Sequence, residues 1–119
     1  MRKPVNQLIA QLYGAMGSPQ DWRTMRSLFW KKAQLVCATP HATESYTLSQ
    51  FIEWVEQENP VDYHPEETQA ITHFMGDVAH RASHYRAGER IGINSIQLLK
   101  IEGHWKIISL LWDTKGRNE

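Results

Sequence analysis

One cysteine, Cys37, stands in 119 residues, so the chain holds neither an intrachain disulfide nor a cysteine metal cluster. Charge of one sign is lacking too: thirteen Lys and Arg balance thirteen Asp and Glu. A domain that grips phosphates needs a basic surplus, so nucleic acid is not expected as a partner. No apolar run approaches the roughly 18 residues of a membrane span, and no membrane partner is expected. The N-terminus starts basic, but Asn6, Gln7 and Gln11 interrupt its apolar stretch, so no export signal is read and the cytoplasm is the expected compartment. Repeats, low-complexity tracts and linkers are lacking as well, which leaves one domain over residues 1–119. What the chain does have is large flat side chains: five Trp, four Tyr and three Phe. They call for a well-filled core, an aromatic-lined pocket or a subunit interface.

Helical signals fall in the first half and strand signals in the second, the segregation of an α+β fold. Pro4 suits a first helical turn, and Leu8, Ile9, Leu12 and Met16 recur at helical spacing until Gly17. Ser18-Pro19-Gln20-Asp21 reads as the start of a second helix carrying Trp22, Met25, Leu28 and Phe29. A short β-favourable run, Ala33–Thr39, ends at Pro40. Thr47-Leu48-Ser49-Gln50 has the capping-box pattern and opens a third helix with Leu48, Phe51, Ile52 and Val55 on one face, stopped by Asn59-Pro60. After a loop to about Glu66, strands are expected over Glu67–Met75, Val78–Arg86, Arg90–Ile101 and His104–Asp113, with turns at Gly76-Asp77, Ala87-Gly88-Glu89 and Glu102-Gly103. The tail Thr114–Glu119 is polar and expected to fray.

This order resembles the nuclear-transport-factor-2-like superfamily, a cystatin-like α+β cone that includes ketosteroid isomerases, scytalone dehydratase, polyketide-cyclase-like proteins and many bacterial domains of unknown role. The resemblance rests on Asp21-Trp22, Leu28-Phe29 with Ala33-Gln34-Leu35-Val36, and Gly76-Asp77-Val78-Ala79 leading to Ser83-His84-Tyr85. It continues through Gly92-Ile93-Asn94-Ser95-Ile96-Gln97-Leu98 and from Gly103-His104-Trp105-Lys106-Ile107 to Leu111-Trp112. It implies a curved antiparallel sheet whose concave face is closed by three N-terminal helices, leaving a cone-shaped pocket. The fold alone does not fix a function.

By similarity to the isomerase members, Val78, His80, Ala82 and His84 are expected to face inward, as are Ile91, Ile93, Ser95, Gln97 and Leu99. Ile108, Leu110 and Trp112 are placed inward on the last strand. A one-residue slip would invert every assignment on a strand. The candidate pocket is then Ser95, Gln97, Trp112, His80 and His84, closed from the helices by Tyr13, Trp22 and Phe29. The opposite face carries Tyr85, Ile96, Leu98, Trp105, Ile107 and Leu111, too apolar to be left in water. In many members of the superfamily a second subunit packs on that face, so a homodimer is expected there; the plainer alternative is cover by the C-terminal tail or a loop.

His80 and His84 are the candidate catalytic residues, because an imidazole on a pocket wall can donate, accept or shuttle a proton near neutral pH. The plainer alternative is that one of them is held by Gln97 or Ser95 and does nothing else. Their spacing separates the Cα atoms by roughly 13 Å on a strand. That is too far for one metal with bonds near about 2 Å, so neither a metal site nor a cofactor is expected. The isomerase branch carries a carboxylate base on its first strand, where this chain has Leu35-Val36-Cys37-Ala38-Thr39, and a buried acid near the place of Ser95. Both acids are missing here. A lone cysteine such as Cys37 is usually a small buried hydrophobe rather than a nucleophile. The expected function is therefore binding of a small, mostly apolar organic ligand. The alternatives are a cofactor-independent lyase, isomerase or cyclase using a pocket histidine, or an interaction module working through the outer sheet face.

Overall fold

A computed structural model describes residues 2–38, 43–58 and 61–115. Three helices, α1 (Arg2–Met16), α2 (Trp22–Leu28) and α3 (Leu48–Glu58), accompany six strands. These are β1 (Phe29–Ala38), β2 (Thr43–Thr47), β3 (Glu66–Met75), β4 (Val78–Ala87), β5 (Arg90–Ile101) and β6 (His104–Lys115). The strands form one curved sheet in the order β2-β1-β6-β5-β4-β3, and the chain is an α+β protein with a cystatin-like fold. Every neighbouring pair is antiparallel except β1 and β6, which run parallel.

Local chemistry accounts for the element boundaries. Asp21 caps α2: its carboxylate accepts from the Thr24 backbone N–H at 3.1 Å and from the Thr24 hydroxyl at 2.6 Å. The helix thus starts after Asp21, not at Ser18, and it gives way to strand at Phe29, four residues earlier than the β-favourable run predicts. The expected capping box is present, with Thr47 N–H donating to Gln50 Oε1 at 2.9 Å and Gln50 N–H donating to Thr47 Oγ1 at 3.1 Å. Strand β2 had no clear signal in sequence, since four of its five residues are exposed. The β4–β5 and β5–β6 hairpins turn through Gly88 and Gly103, both at positive φ, where a side chain would be strained. The expected stops at Pro40 and Asn59-Pro60, and the end of the tail, lie outside the described residues.

The helices pack their apolar faces on one face of the sheet. Leu8, Ile9 and Leu12 of α1, Met25 of α2 and Phe51 of α3 share one core with Leu35, Ile96, Leu98 and Ile107 of the strands. This reverses the facing expected for β4 and β5. The inward residues are Ala79, Arg81, Ser83 and Tyr85, followed by Gly92, Asn94, Ile96 and Leu98. Tyr85, Ile96, Leu98, Trp105 and Ile107, expected at a dimer interface, are therefore core residues, and of that set only Leu111 is exposed.

For Trp105 and Ile107 the cause is a bulge in β6. Gln97 pairs with Ser109 while Leu98 pairs with Ile107, which leaves Ile108 as an extra residue. Trp105 and Ile107 thereby share a face with Leu110 and Trp112, although strict alternation puts them on opposite faces. Counting back by twos from Trp112 gives the wrong face beyond the bulge. Energetics point the same way, because the set Ile96, Leu98, Trp105 and Ile107 has far more to gain from burial than His80, His84, Ser95 and Gln97.

Candidate functional site

A cavity of about 480 Å³ lies between the helices and the inner face of the sheet. That size falls within the roughly 300–1,000 Å³ of small-molecule sites. Of the sixteen described residues that line it, seven are aromatic. Tyr13 and Met16 come from α1, Trp22 and Met25 from α2, and Phe51, Trp54 and Val55 from α3. Strands β1 and β6 contribute Leu35, Cys37, Leu110 and Trp112. Periodicity explains the sheet side: Leu35 pairs with Leu110 and Cys37 with Trp112, so two rungs of the parallel ladder present all four side chains to one face. Trp112 meets Phe51 edge-on at 5.3 Å and stacks against Tyr46 at 6.2 Å, which in turn stacks on Trp54 at 5.9 Å. Such packing fixes flat walls rather than mobile ones.

The polar side of the cavity is a relay that runs into the sheet. Asn94 Nδ2 donates to the Tyr13 hydroxyl at 3.0 Å, and that hydroxyl lies 2.6 Å from Ser83 Oγ. Ser83 Oγ donates to Glu67 Oε2 at 2.6 Å. Ser83 has one proton and spends it on the carboxylate, so Tyr13 donates to Ser83 and its proton points away from the cavity. Arg81 closes the relay: its Nε donates to Glu67 Oε2 at 3.0 Å and its Nη2 pairs with Glu67 Oε1, a two-pronged ion pair. Arg81 Nη1 also donates to Asn6 Oδ1 at 2.7 Å and to Thr72 Oγ1 at 3.1 Å. Burial pushes the Tyr13 phenol up from its ordinary value, with a smaller push from the Glu67 charge, against the opposing hydrogen bonds of Ser83 and Asn94 and the charge of Arg81.

The lining has further polar members in Tyr63, Tyr85, Glu58 and Arg90, of which Glu58 and Arg90 are exposed and Tyr85 is buried. Tyr63 is held by its backbone: its N–H donates to Ser18 Oγ at 3.1 Å and its carbonyl accepts from Ser18 N–H at 2.7 Å. The Tyr85 ring lies across Gly92, where a Cβ would come within 2.4 Å of it. Burial raises the Tyr85 phenol to about 12, and it raises that of Tyr63 as well, so both stay protonated through the physiological range. Cys37 is also pushed up, first by burial and then by Glu44 and Asp113, which keeps it a thiol rather than a nucleophilic thiolate.

Of the residues expected at the pocket, Tyr13, Trp22 and Trp112 line this cavity. Phe29 is buried in the core but stands at the other end of β1, beside Ile107. His80, His84, Ser95 and Gln97 lie on the opposite face of the sheet. His80 Nε2 is within 2.9 Å of Ser95 Oγ there, the plainer arrangement weighed for a histidine on this strand. No histidine lines the cavity among the described residues. Among those residues no three of His, Cys, Asp or Glu are grouped to hold a metal ion. Sequence reasoning did not select Glu67, Arg81, Ser83 and Asn94. Their signal was the alternation of Arg81, Ser83 and Tyr85 on one face of β4, polar groups that must find partners once that face is buried.

Comparison with solved structures confirms the architecture. An NTF2-like protein of unknown function from Shewanella baltica superposes with a TM-score of 0.81 at 13% identity, covering 96% of this chain and 93% of that one. A protein of unknown function with a cystatin-like fold from Nostoc punctiforme gives 0.80 at 12% identity, over 98% and 92%. Hexachlorocyclohexane dehydrochlorinase LinA-type3 from Novosphingobium barchaimii gives 0.79 at 13% identity, over 96% and 86%. At such identities the likeness is one of fold. Comparison with curated proteins finds no match. Residues 4–113 match the profile of a family described as "Putative lumazine-binding", and the chain belongs to that family within the NTF2-like superfamily.

Proposed function

We propose that the chain binds one small, flat, mostly apolar organic molecule in the cavity between its helices and its sheet. The observation that carries this reading is the lining: aromatic walls from three helices and two strands around a space of about 480 Å³. A flat ring system buries area on both faces against such walls. The family description makes lumazine, a planar heteroaromatic, the natural first probe. Catalysis by a pocket histidine is not favoured, since His80 and His84 stand behind the sheet.

The reading is tested by tryptophan fluorescence, because Trp22, Trp54 and Trp112 border the cavity. Saturable quenching by lumazine is expected. Val55→Trp should abolish it, since the larger ring fills the cavity from its half-buried position on α3. A folded protein whose emission ignores lumazine, or a Val55→Trp variant that binds as the parent does, would refute the assignment.

The outer sheet face supports a second reading, self-association. With the register of the structure it presents Ile71 at 56% exposure, Val78 at 47% and Leu111 at 44%, around half-buried Ala82, Ile93 and Leu99. These apolar residues, set among His80, His84, Ser95 and Gln97, are suited to contact with a second copy of the chain. Ala82 pairs with Ile71 and Ser95 near its middle, so Ala82→Arg should convert a dimer to a monomer in sedimentation without unfolding it. A parent protein that sediments as a monomer would remove this reading and leave the cavity untouched. Cytoplasmic location fits a chain with one unpaired cysteine.

A further inference from the structure

Besides the indole N–H groups of Trp22, Trp54 and Trp112, three side chains in the lining carry donors with no hydrogen-bond partner among the described residues. The Tyr63 and Tyr85 hydroxyls have no hydrogen-bond partner among the described residues, and Arg90 makes no ion pair among them. Among the described residues no fully enclosed side-chain polar atom is left unsatisfied, so these hydroxyls reach solvent or the cavity. Two of the three are held in place. Tyr63 is pinned to Ser18 through two backbone contacts, and the Tyr85 ring is seated on Gly92. Arg90 begins β5, one step beyond the Gly88 turn, and is paired in the ladder with Ala87. Its positive charge is felt by both phenols.

The rest of the lining decides what these donors hold. The inner polar group, Tyr13, has its proton committed to Ser83, and the Glu67 carboxylate stands behind it. Tyr13 therefore has no proton to offer an anion at that end. The wall between is apolar and aromatic, through Leu35, Leu110, Phe51 and Trp112. Glu58 is the one acid in the lining among the described residues, and it forms no ion pair with Arg90 within 4 Å.

Resting on the reading of the cavity as a ligand site, we infer that its ligand is a flat aromatic acid, with a carboxylate bound by Arg90, Tyr63 and Tyr85 and its rings against Trp112 and Phe51. Guanidinium and phenol donors bind an ionised carboxylate more strongly than a neutral amide of the same shape. An aromatic acid therefore enters rings first and leaves its charge at the Arg90 end.

The test is calorimetric titration with 2-naphthoate and with 2-naphthamide, its neutral counterpart. The parent protein should bind the acid about tenfold more tightly than the amide. Arg90→Gln should erase that preference by weakening the acid far more than the amide, and Arg90 is exposed enough for the change to spare the fold. Tyr63→Phe should shrink the preference without erasing it. Equal binding of acid and amide by the parent, or a preference that survives Arg90→Gln, would overturn the inference while the cavity still stands as a ligand site. Failure of both compounds to bind would overturn the inference together with the reading beneath it.

Discussion

Replacing Arg81 with methionine will cost about 3 kcal/mol of stability, the range measured when one partner of a buried ion pair is removed. Arg81 is 6% exposed, and its guanidinium serves Glu67, Asn6 and Thr72 together. Without it the half-buried Glu67 carboxylate loses its counter-charge, and Asn6 and Thr72 each lose a donor. Domains of this size have only about 5–15 kcal/mol to lose. Thermal unfolding should shift down by about 10–20 °C. Adding Glu67→Gln to Arg81→Met should recover part of the loss, because a neutral amide oxygen still accepts from Ser83 and no buried charge is stranded. A loss below about 1 kcal/mol would mean that the pair behaves as a solvated surface bridge. The relay beyond Ser83 includes Tyr13, so the variant should also loosen the polar wall of the cavity.

Gly92→Ala should be nearly as damaging, through sterics alone. Its added methyl would sit 2.4 Å from the ring and hydroxyl of Tyr85, closer than any real contact. The ring is rigid, so the whole phenol must swing, and the cavity is the space it borders. The expected cost is about 2 kcal/mol, typical of overpacking a well-filled site, with loss of lumazine quenching. Tyr85→Leu in the same chain should rescue stability, because the shorter side chain does not reach over Gly92. The two substitutions should therefore be coupled by more than about 1 kcal/mol in a double-mutant cycle. Additive effects would show that Tyr85 does not rest on Gly92.

These two sites also mark where sequence reasoning stopped. The helices were legible from apolar spacing and from Thr47 and Gln50, and β5 was bounded correctly as Arg90–Ile101. Tyr13, Trp22 and Trp112 were chosen for the pocket and do border the cavity. Facing on β4 and β5 was not legible by alternation alone. Both faces of these strands mix apolar and polar residues, and Ile108 breaks the count on β6. The apolar set Ile96, Leu98, Trp105 and Ile107 was recognised as too hydrophobic for water but assigned to a partner subunit, where the chain's own helices cover it. Glu67 and Arg81 escaped notice for a related reason. They lie 14 positions apart on neighbouring strands, and only the β3–β4 register brings them together. Trp54 was passed over because it flanks the apolar stripe of α3 and is 39% exposed, as a residue at a cavity's rim should be.

The five tryptophans supply the most direct measurement. Trp22, Trp54 and Trp112 border the cavity, whereas Trp105 is buried against Phe74 and Trp30 stands on β1 away from it. Each indole N–H gives its own signal in a ¹H–¹⁵N spectrum, so the chain carries its own map of where a ligand goes. Titration with 2-naphthoate should move the indole signals of Trp22, Trp54 and Trp112 in a saturable way and leave those of Trp30 and Trp105 in place. Five signals that stay still, or movement of Trp30 or Trp105 without the other three, would contradict the account of the cavity as the ligand site.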